Sequence, residues 1–518
     1  MMRFLLVTSG RRDLMKVWDW QGSSPTGSIL PPVDLSSIAA SIRAAGGECR
    51  IADLRFSSEP LVDYLRVIEE YCPDGVILNL TTTSAEHDYT LIGITPRPVR
   101  RFCFGSHAVA CPEEAFTKGV DCILVGDPEA AVGRFLTHGE SALGGDGLWV
   151  RGRANGRPVY CTSLDALPAA TPTGLDLTHY RMPFVSAGKP FWLILGSRGG
   201  TSGDESSVHS TVFGPVRRER SAAGVCDEIE SAIREWRIKF FRFLDVDMNG
   251  IPGRVEALCD EIARRSLRFE WAGEFGWRTH DPATAEALAA SGLRWACLGL
   301  PDSICVDSAR RDQSVEEFTR TVRSFQRAGV RVGLTVRLSG ATSGGFAEYV
   351  DQLVSVLQTI GADAVQCQLA MPFPGSAFRA GIEPGELGGS WSKYDPFGGS
   401  VPYSTQHDLV RARRSIHMNW LFAHPIRAIK LAGRMAPRFV GSAGVELIRR
   451  DFWPDWQARR RRRMLEAAER LEFEQVYSTS AIAMPPAPSD EGQGCGSSKK
   501  EPGAPRLVQL GILTQSRS

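Results

Sequence analysis

Short apolar runs alternate with amphipathic stretches through the first 145 residues. Arg3–Thr8, Cys49–Leu54, Gly75–Thr81, Arg100–Gly105 and Asp121–Gly126 are brief, β-rich and closed by turn residues. That pattern predicts buried parallel strands. Leu35–Ala45, Pro60–Tyr71, Pro112–Lys118 and Pro128–Leu136 predict helices between them. Pro112 and Pro128 stand where a first helical turn tolerates proline. The alternation predicts a doubly wound α/β domain, whose ligand would lie at the carboxyl ends of the strands. Those ends carry Thr81, Thr82, Thr83 and Ser84, then Gly105, Ser106 and His107, then Gly126, Asp127, Pro128 and Glu129. Glycines and hydroxyls there permit close backbone approach and hydrogen bonds to a polar ligand.

Residues 146–189 read as a connector. Leu148–Val159 predicts a small hairpin with Ala154, Asn155 and Gly156 at its turn. Thr162–Pro183, rich in Pro, Thr and Asp, predicts a surface path. Residues 190–376 repeat strand and helix. The strands are Phe191–Gly196, Lys239–Asp245, Arg268–Gly273, Arg294–Leu300, Arg331–Leu338 and Ala364–Met371. The helices include Cys226–Trp236, Arg254–Arg265, Pro282–Ser291, Ser314–Ala328 and Gly345–Ile360, with Asp281 and Ser314 as N-cap candidates. Such a series predicts a (β/α)6 barrel or partial barrel with its chemistry at the carboxyl strand ends. Residues 377–475 are mixed, then helical, with Gln406–Gly433 and Ala458–Leu471 the clearest helices. Residues 476–518 are Pro, Gly, Ser and charge, which predicts a disordered tail.

Composition narrows the classes. The 518 residues are 43% hydrophobic and 23% charged, ordinary for a soluble globular chain of more than one core. No apolar run approaches the roughly 20 residues a membrane span needs, so no membrane role is expected. Net charge is +1, so no global field recruits nucleic acid. Arg459–Arg463 is a basic run without interleaved aromatics and reads as a solvated helix face. The 12 cysteines show no C-x-x-C pair. Met1–Thr8 is too short for a signal-peptide core, so a cytoplasmic chain with free thiols is expected.

PPVDLSSIAASIRAAGGECRIADLR, GVILNLTTTSAEHDYTLI, CFGSHAVACPEEAF and VDCILVGDPEAAVGRFL together resemble the cobalamin-binding domain of B12-dependent radical S-adenosylmethionine (SAM) enzymes. LGSRGG and the stretch after it through FFRFLDVDMNG, then GLRWACLGL and QLAMPFPGSAF, are similar to the radical SAM barrel of the same family. The connector DALP and the motif PFPGS agree in order, and the likeness spans residues 1–440. It implies a Rossmann-like cobalamin domain, a radical SAM barrel, and methyl transfer to, or radical remodelling of, a small-molecule substrate in specialised metabolism. A reductant protein is implied as partner if the chain is active. Thr82, Thr83, Ser84, Gly105, Ser106, His107, Gly126, Asp127 and Glu129 fall at the cobalamin positions. The pattern D-x-H-x-x-G of His-ligated cobalamin proteins is absent, so His107 is expected beside the corrin rather than on cobalt. Asp127 and Glu129 also suit a helix N-terminus. Asp245, Asp247, Gly299, Asp302 and Arg337 fall at strand ends where SAM would lie, and solvent-facing salt bridges are the alternative for them. Trp271, Glu274, Trp277 and Arg278 line a substrate pocket or belong to the core.

The departure falls on the central motif. The family has Arg-Gly-Cys, three residues, Cys, two residues, Cys, and those thiolates hold a [4Fe–4S] cluster whose open iron binds SAM. Here the three positions are Gly200, Asp204 and Ser207, and no cysteine stands between Cys161 and Cys226. Iron–sulfur clusters need soft thiolates, which glycine and hard oxygen groups do not supply. Asp204, Glu205 and His209 match no strong metal motif either. Two accounts are open. One is a diverged or inactive member that keeps its fold and some ligand sites. The other is a reading error, since Ser206–His209 as TCN-TCN-GTN-CAY can give Phe-Cys-Pro when shifted by two bases. The shifted Asp204–Glu205 codons give YGA where cysteine should stand, so that repair is incomplete.

Overall fold

The computed structural model describes residues 1–424 apart from 11–13, 25–26, 184, 201–206, 277–281, 302–303, 305–307, 340–345, 384, 386 and 399–405. The described residues all lie in one compact unit. Ala458–Leu471, Arg459–Arg463 and the tail from 476 lie outside the described residues, as do Asp204, Trp277, Arg278, Asp281 and Asp302.

The first strands are β1 (Arg3–Thr8), β2 (Leu14–Val17), β3 (Trp20–Ser23), β4 (Glu48–Asp53), β5 (Gly75–Asn79), β6 (Arg100–Phe104), β7 (Cys122–Leu124) and β8 (Leu148–Trp149). They form a sheet of order β4-β1-β5-β6-β7-β8, with β2 and β3 as a separate antiparallel hairpin. Only β8 runs antiparallel in the larger sheet. Phe4, Leu6, Ile77, Phe102 and Leu124 pack into one core, and Leu5, Val7, Val76, Leu78 and Ile123 into the other. Both faces are covered, which is why these strands read as unbroken apolar runs. The order reverses at β1, and the crevice beyond β1 and β5 is the switch point where such sheets take ligands.

The second set is β9 (Phe191–Ile194), β10 (Ser197–Arg198), β11 (Arg218–Glu219), β12 (Phe240–Phe243), β13 (Glu270–Phe275), β14 (Leu293–Pro301), β15 (Arg331–Leu338) and β16 (Ala364–Leu369). Here β9-β12-β13-β14-β15-β16 follow in chain order, all parallel, while β10 and β11 pair apart from them. Along β15, Val332, Leu334, Val336 and Leu338 are buried, whereas Gly333, Thr335 and Arg337 are only half-buried. One face of this sheet is therefore sealed and the other is partly open.

Several elements differ from the sequence expectation. The segment before the first helix carries the β2–β3 hairpin, which the run pattern leaves unassigned. Leu148–Val159 does not pair with itself: β8 pairs with β7, and Val159 bridges Gly126. Asn155 instead closes a local turn onto Val150 through both its amide atoms. The helix predicted from Ser314 begins at Ser308, because no breaker interrupts Ser308–Gln313, so Ser314 is interior rather than a cap. Gln406–Ala423 is helical, and the expected extension to Gly433 runs into residues outside the description. No helix of the described residues is long and apolar enough to cross a membrane. The described cysteines are free thiols.

Candidate functional site

At the switch point, Thr8 ends β1 and Asn79 ends β5, alongside each other in register after Val7 and Leu78. Thr8 Oγ1, Asn79 Oδ1 and, from the next helix, Asp34 Oδ1 are buried without hydrogen-bond partners. Burial raises the Asp34 carboxyl, against bonds from Leu35, Asn79 and Trp18 that favour its charge. Unpartnered buried polar atoms are costly, and their clustering marks a place built for a polar partner. Thr82, Thr83, Ser84, Gly105, Ser106 and His107 converge on the same edge. Ser84 bonds Thr81 (2.8 Å) and Asp88 (2.6 Å), and His107 Nδ1 faces Thr82 Oγ1 at 3.3 Å. Burial, with a lesser push from Arg379, takes the His107 imidazole down to about 4, so it is neutral near pH 7. Gly105 has φ +103°, and a β-carbon there would stand 2.3 Å from Asn79 Oδ1, so only glycine closes this corner.

The hairpin is wedged over this edge. Lys16 bonds both Asp88 oxygens at 2.6 and 2.7 Å in a fully buried pair. Trp18 packs on Phe104 and Phe213, its carbonyl accepts from Asn79 Nδ2 (3.2 Å), and its amide reaches Asp34. Gln21 reaches Ser106 and the Thr83 amide, at 3.4 and 3.3 Å. On the other side, Trp20 lies under the Arg242 guanidinium, and Asp19 faces His209 Nδ1 at 3.2 Å. The Leu14–Ser23 hairpin thus touches the carboxyl edge of the first sheet through Trp18 and Gln21 and the second sheet through Trp20. The remaining crevice beside Trp18, Ser37, Leu195 and Arg198 measures about 30 Å³.

Asp127 and Glu129 stand after β7 at the N-terminus of helix Pro128–His138, yet face inward to arginines. Arg198 binds Glu129 through two nitrogens (2.7 and 2.9 Å) and Asp127 at 3.0 Å; Arg218 binds Asp127 as well. Ser37 donates to Glu129, and the Cys161 amide to Asp127. Burial alone would raise the Asp127 carboxyl, but Arg198, Arg218 and the Cys161 amide hold it below its ordinary value. Arg198 also stacks on Trp18, with its guanidinium carbon 4.5 Å from the ring centre. Arg198 and Arg218 are opposite each other on β10 and β11, so this clamp grips both ends of the loop that holds positions 200–207.

Within that loop Gly200 has φ +88°, a conformation side chains rarely adopt, and it offers no ligand atom. Ser207 Oγ accepts the His209 amide at 3.2 Å, at the start of helix His209–Phe213. The residues here do not fit a [4Fe–4S] cluster.

At the second sheet, Asp245 is fully buried. It accepts from the Gly196 amide (3.0 Å), Ser197 Oγ (2.7 Å) and Arg254. Burial pushes its carboxyl up, and Arg254, Ser197 and the Gly196 amide more than reverse this. Asp247 accepts the Asn249 and Gly276 amides at 3.1 and 2.8 Å. Both carboxylates therefore order loops. Gly299 is exposed, with open space where a β-carbon would be. Thr335 pairs with Gly299 and Gln366, and Arg337 with Gln368, on the half-open face that also carries Glu274 and Cys297. The sequence marks Gly299, Arg337 and Glu274 singly but does not single out the Arg198–Arg218 clamp, nor Cys297, Thr335, Gln366 and Gln368 as their neighbours on one face. The strict alternation of RVGLTVRL is the signal that exposes that face.

Compared with solved structures, the chain resembles the radical S-adenosylmethionine methyltransferase TsrM from Kitasatospora setae. The likeness to its structure with cobalamin and a [4Fe–4S] cluster has a TM-score of 0.58 at 17% identity, over 85% of this chain and 90% of that one. For its structure with tryptophan substrate and a SAM analogue, the TM-score is 0.59 at 16% identity, over the same shares. An uncharacterized methyltransferase of Pyrococcus horikoshii is 22% identical over 367 residues, 68% of this chain and 78% of that one. No family model matches. At these identities the likeness to the solved structures is one of fold: a mixed α/β chain with parallel sheets, built as the radical SAM methyltransferase TsrM is built.

Proposed function

We propose that this chain is a cluster-less protein of the cobalamin-dependent radical SAM methyltransferase architecture, with a Rossmann-like domain and a (β/α)6 partial barrel. It binds a corrinoid at the first sheet, and SAM or a small-molecule substrate at the second, without reductive SAM cleavage. The observation that carries this reading is the loop at 200–207. Its base is clamped by Arg198 and Arg218 as a built feature, while Gly200 and Ser207 supply no thiolate.

The corrinoid assignment rests on chemistry at the switch point. Beneath the Leu14–Ser23 hairpin, Thr8, Asn79, Thr82, Thr83, Ser84 and Ser106 carry hydroxyl and amide groups of the kind that suit the amide-rich rim of a corrin. Three buried polar atoms there lack partners. A bound corrinoid would supply a cobalt able to carry a methyl group. The chain's own residues hold and orient it and exclude water, with Trp18 and Gln21 closing that side. At the second sheet, the open approach at Gly299 admits a ligand edge, and Arg337 places a cation where a carboxylate would lie.

The test is anaerobic reconstitution of the full chain with iron, sulfide and hydroxocobalamin. The expected result is a bound-cobalamin spectrum, no stoichiometric iron, and no 5′-deoxyadenosine from SAM. Uptake of about four irons per chain with SAM cleavage would overturn it. Failure to take up cobalamin would remove the assignment of the first sheet.

The codons open to Ser206–His209 admit a second reading, a radical enzyme with a misread loop. Sequencing codons 199–210 decides it: three cysteine codons establish the enzyme, and Gly200, Asp204 and Ser207 exclude the misreading.

A further inference from the structure

His107 and Thr82 lie on the edge assigned to the corrinoid, but Cys111 and Glu114 beside them are not used by that reading. His107 is in helix Ser106–Ala110, Cys111 follows it, and Glu114 is one turn into helix Pro112–Thr117. The His107 side chain is fully buried, and its Nε2 has no hydrogen-bond partner. That nitrogen faces Glu114 Oε2 at 3.7 Å, too far for a hydrogen bond. Each remaining atom of the pair is engaged from behind. Nδ1 faces Thr82 Oγ1, and Glu114 Oε1 accepts the Trp391 indole N–H at 2.9 Å. In the tautomer whose Nδ1–H donates to Thr82 Oγ1, the Nε2 lone pair is left on the side of the Glu114 carboxylate. The His107, Cys111 and Glu114 donor atoms all lie within 4.8 Å of one another.

We propose that His107 Nε2, Cys111 Sγ and Glu114 Oε2 form a binding site for one divalent ion of the zinc class. Imidazole, thiolate and carboxylate together are a borderline donor set that suits zinc and disfavours calcium or magnesium. Bonds of about 2.0–2.3 Å place tetrahedral ligands about 3.3–3.8 Å apart. The donors therefore need to draw in by about 1 Å at their widest pair, within reach of the half-exposed Glu114 and Cys111 side chains. Thr82 and Trp391 are the outer partners that fix the imidazole tautomer and the carboxylate orientation, as zinc sites require. The thiolate and carboxylate neutralise the ion's two charges. Arg379, stacked on Trp391 at 5.7 Å, is the nearby cation that opposes binding. Three protein ligands leave a fourth position for water or a small ligand.

The full chain, stripped with chelator, equilibrated with zinc and desalted, should retain one zinc per chain. Loaded with cobalt(II) instead, it should show a thiolate-to-cobalt charge-transfer band. C111S should abolish that band, and C111S and E114Q should each weaken zinc binding at least about 100-fold. T82V, acting on the outer partner, should weaken it about 10–100-fold. In the unmutated chain, zinc should shield Cys111 from alkylation, read by peptide mass mapping, so the test does not depend on any variant folding. No retained zinc, or zinc undiminished in both C111S and E114Q, overturns the site, as does alkylation of Cys111 at an unchanged rate. Cobalamin uptake is read separately from its visible spectrum. Loss of zinc with cobalamin retained therefore sinks this inference alone, and the converse sinks only the corrinoid reading.

Discussion

Two buried carboxylates, Asp127 and Glu129, converge on Arg198. They and a stacked indole surround a guanidinium that is almost wholly enclosed. Removing one partner of such a cluster leaves charge without compensation, which costs about 3–5 kcal/mol. Arg198→Ala should lower the unfolding free energy measured in urea by that amount, and Arg198→Lys should recover little, because a point charge cannot replace the two-pronged grip on Glu129. A loss below about 1 kcal/mol would mean the carboxylates find water or Arg218 instead. The cluster also has a pH signature. The Asp127 carboxyl is held below its ordinary value, so it contributes stability above the ordinary aspartate range of about pH 3.9. That contribution is lost as pH falls through the depressed folded value. The wild-type midpoint should therefore drop below about pH 4, and Asp127→Asn should flatten that drop. The sequence marks Asp127 and Glu129 as strand-end acids but not what they serve. Their arginine partners lie 69 to 91 positions further along the chain, and local pattern carries no trace of so distant a contact.

At the scale of elements, Leu14–Ser23 explains why the strand ends are buried rather than open. The hairpin is short and contains Lys16, Asp19 and Gln21, so its hydrophobic pattern is weak. Its stability comes from what it covers. Lys16 is the clearest case, since an ammonium wholly removed from water survives only against Asp88, itself bonded by Ser9 and Ser84. Burial pulls the Lys16 ammonium below its ordinary value, against the attraction of Asp88. Lys16→Met alone should cost about 3–5 kcal/mol by stranding the carboxylate, whereas K16M/D88N should recover much of it. Chemical denaturation of the four members of that cycle measures the coupling, and a double variant no more stable than K16M would refute it. The parallel strands were readable because both their faces are apolar. The hairpin was not, because it is held by polar contacts to residues far along the chain.

At the largest scale, the Leu14–Ser23 hairpin touches both of the mainly parallel sheets, at Asn79 of the first and Arg242 of the second. Strand order follows chain order in the second sheet, so its six parallel strands were legible from the strand–helix repeat alone. What repeat and pattern could not reveal is whether a loop in the right place still does its chemistry. That depends on three side chains, and at Gly200 on backbone shape as well. A β-carbon there meets Arg217 at 3.2 Å and φ is positive, so a cysteine would strain the loop as it stands. Left-handed backbone costs a side chain about 1–2 kcal/mol, whereas thiolate ligation of a cluster is worth far more. G200C/D204C/S207C should therefore fold with a slightly lowered midpoint and take up iron and sulfide on anaerobic reconstitution, where the natural chain does not. Iron analysis and the cluster's visible absorption read the outcome. If the variant gains a cluster and cleaves SAM, the scaffold is intact and the loss resides in the three side chains. If it folds but stays iron-free, the loop itself has been rebuilt around Gly200 and Ser207, and the protein's work lies in binding.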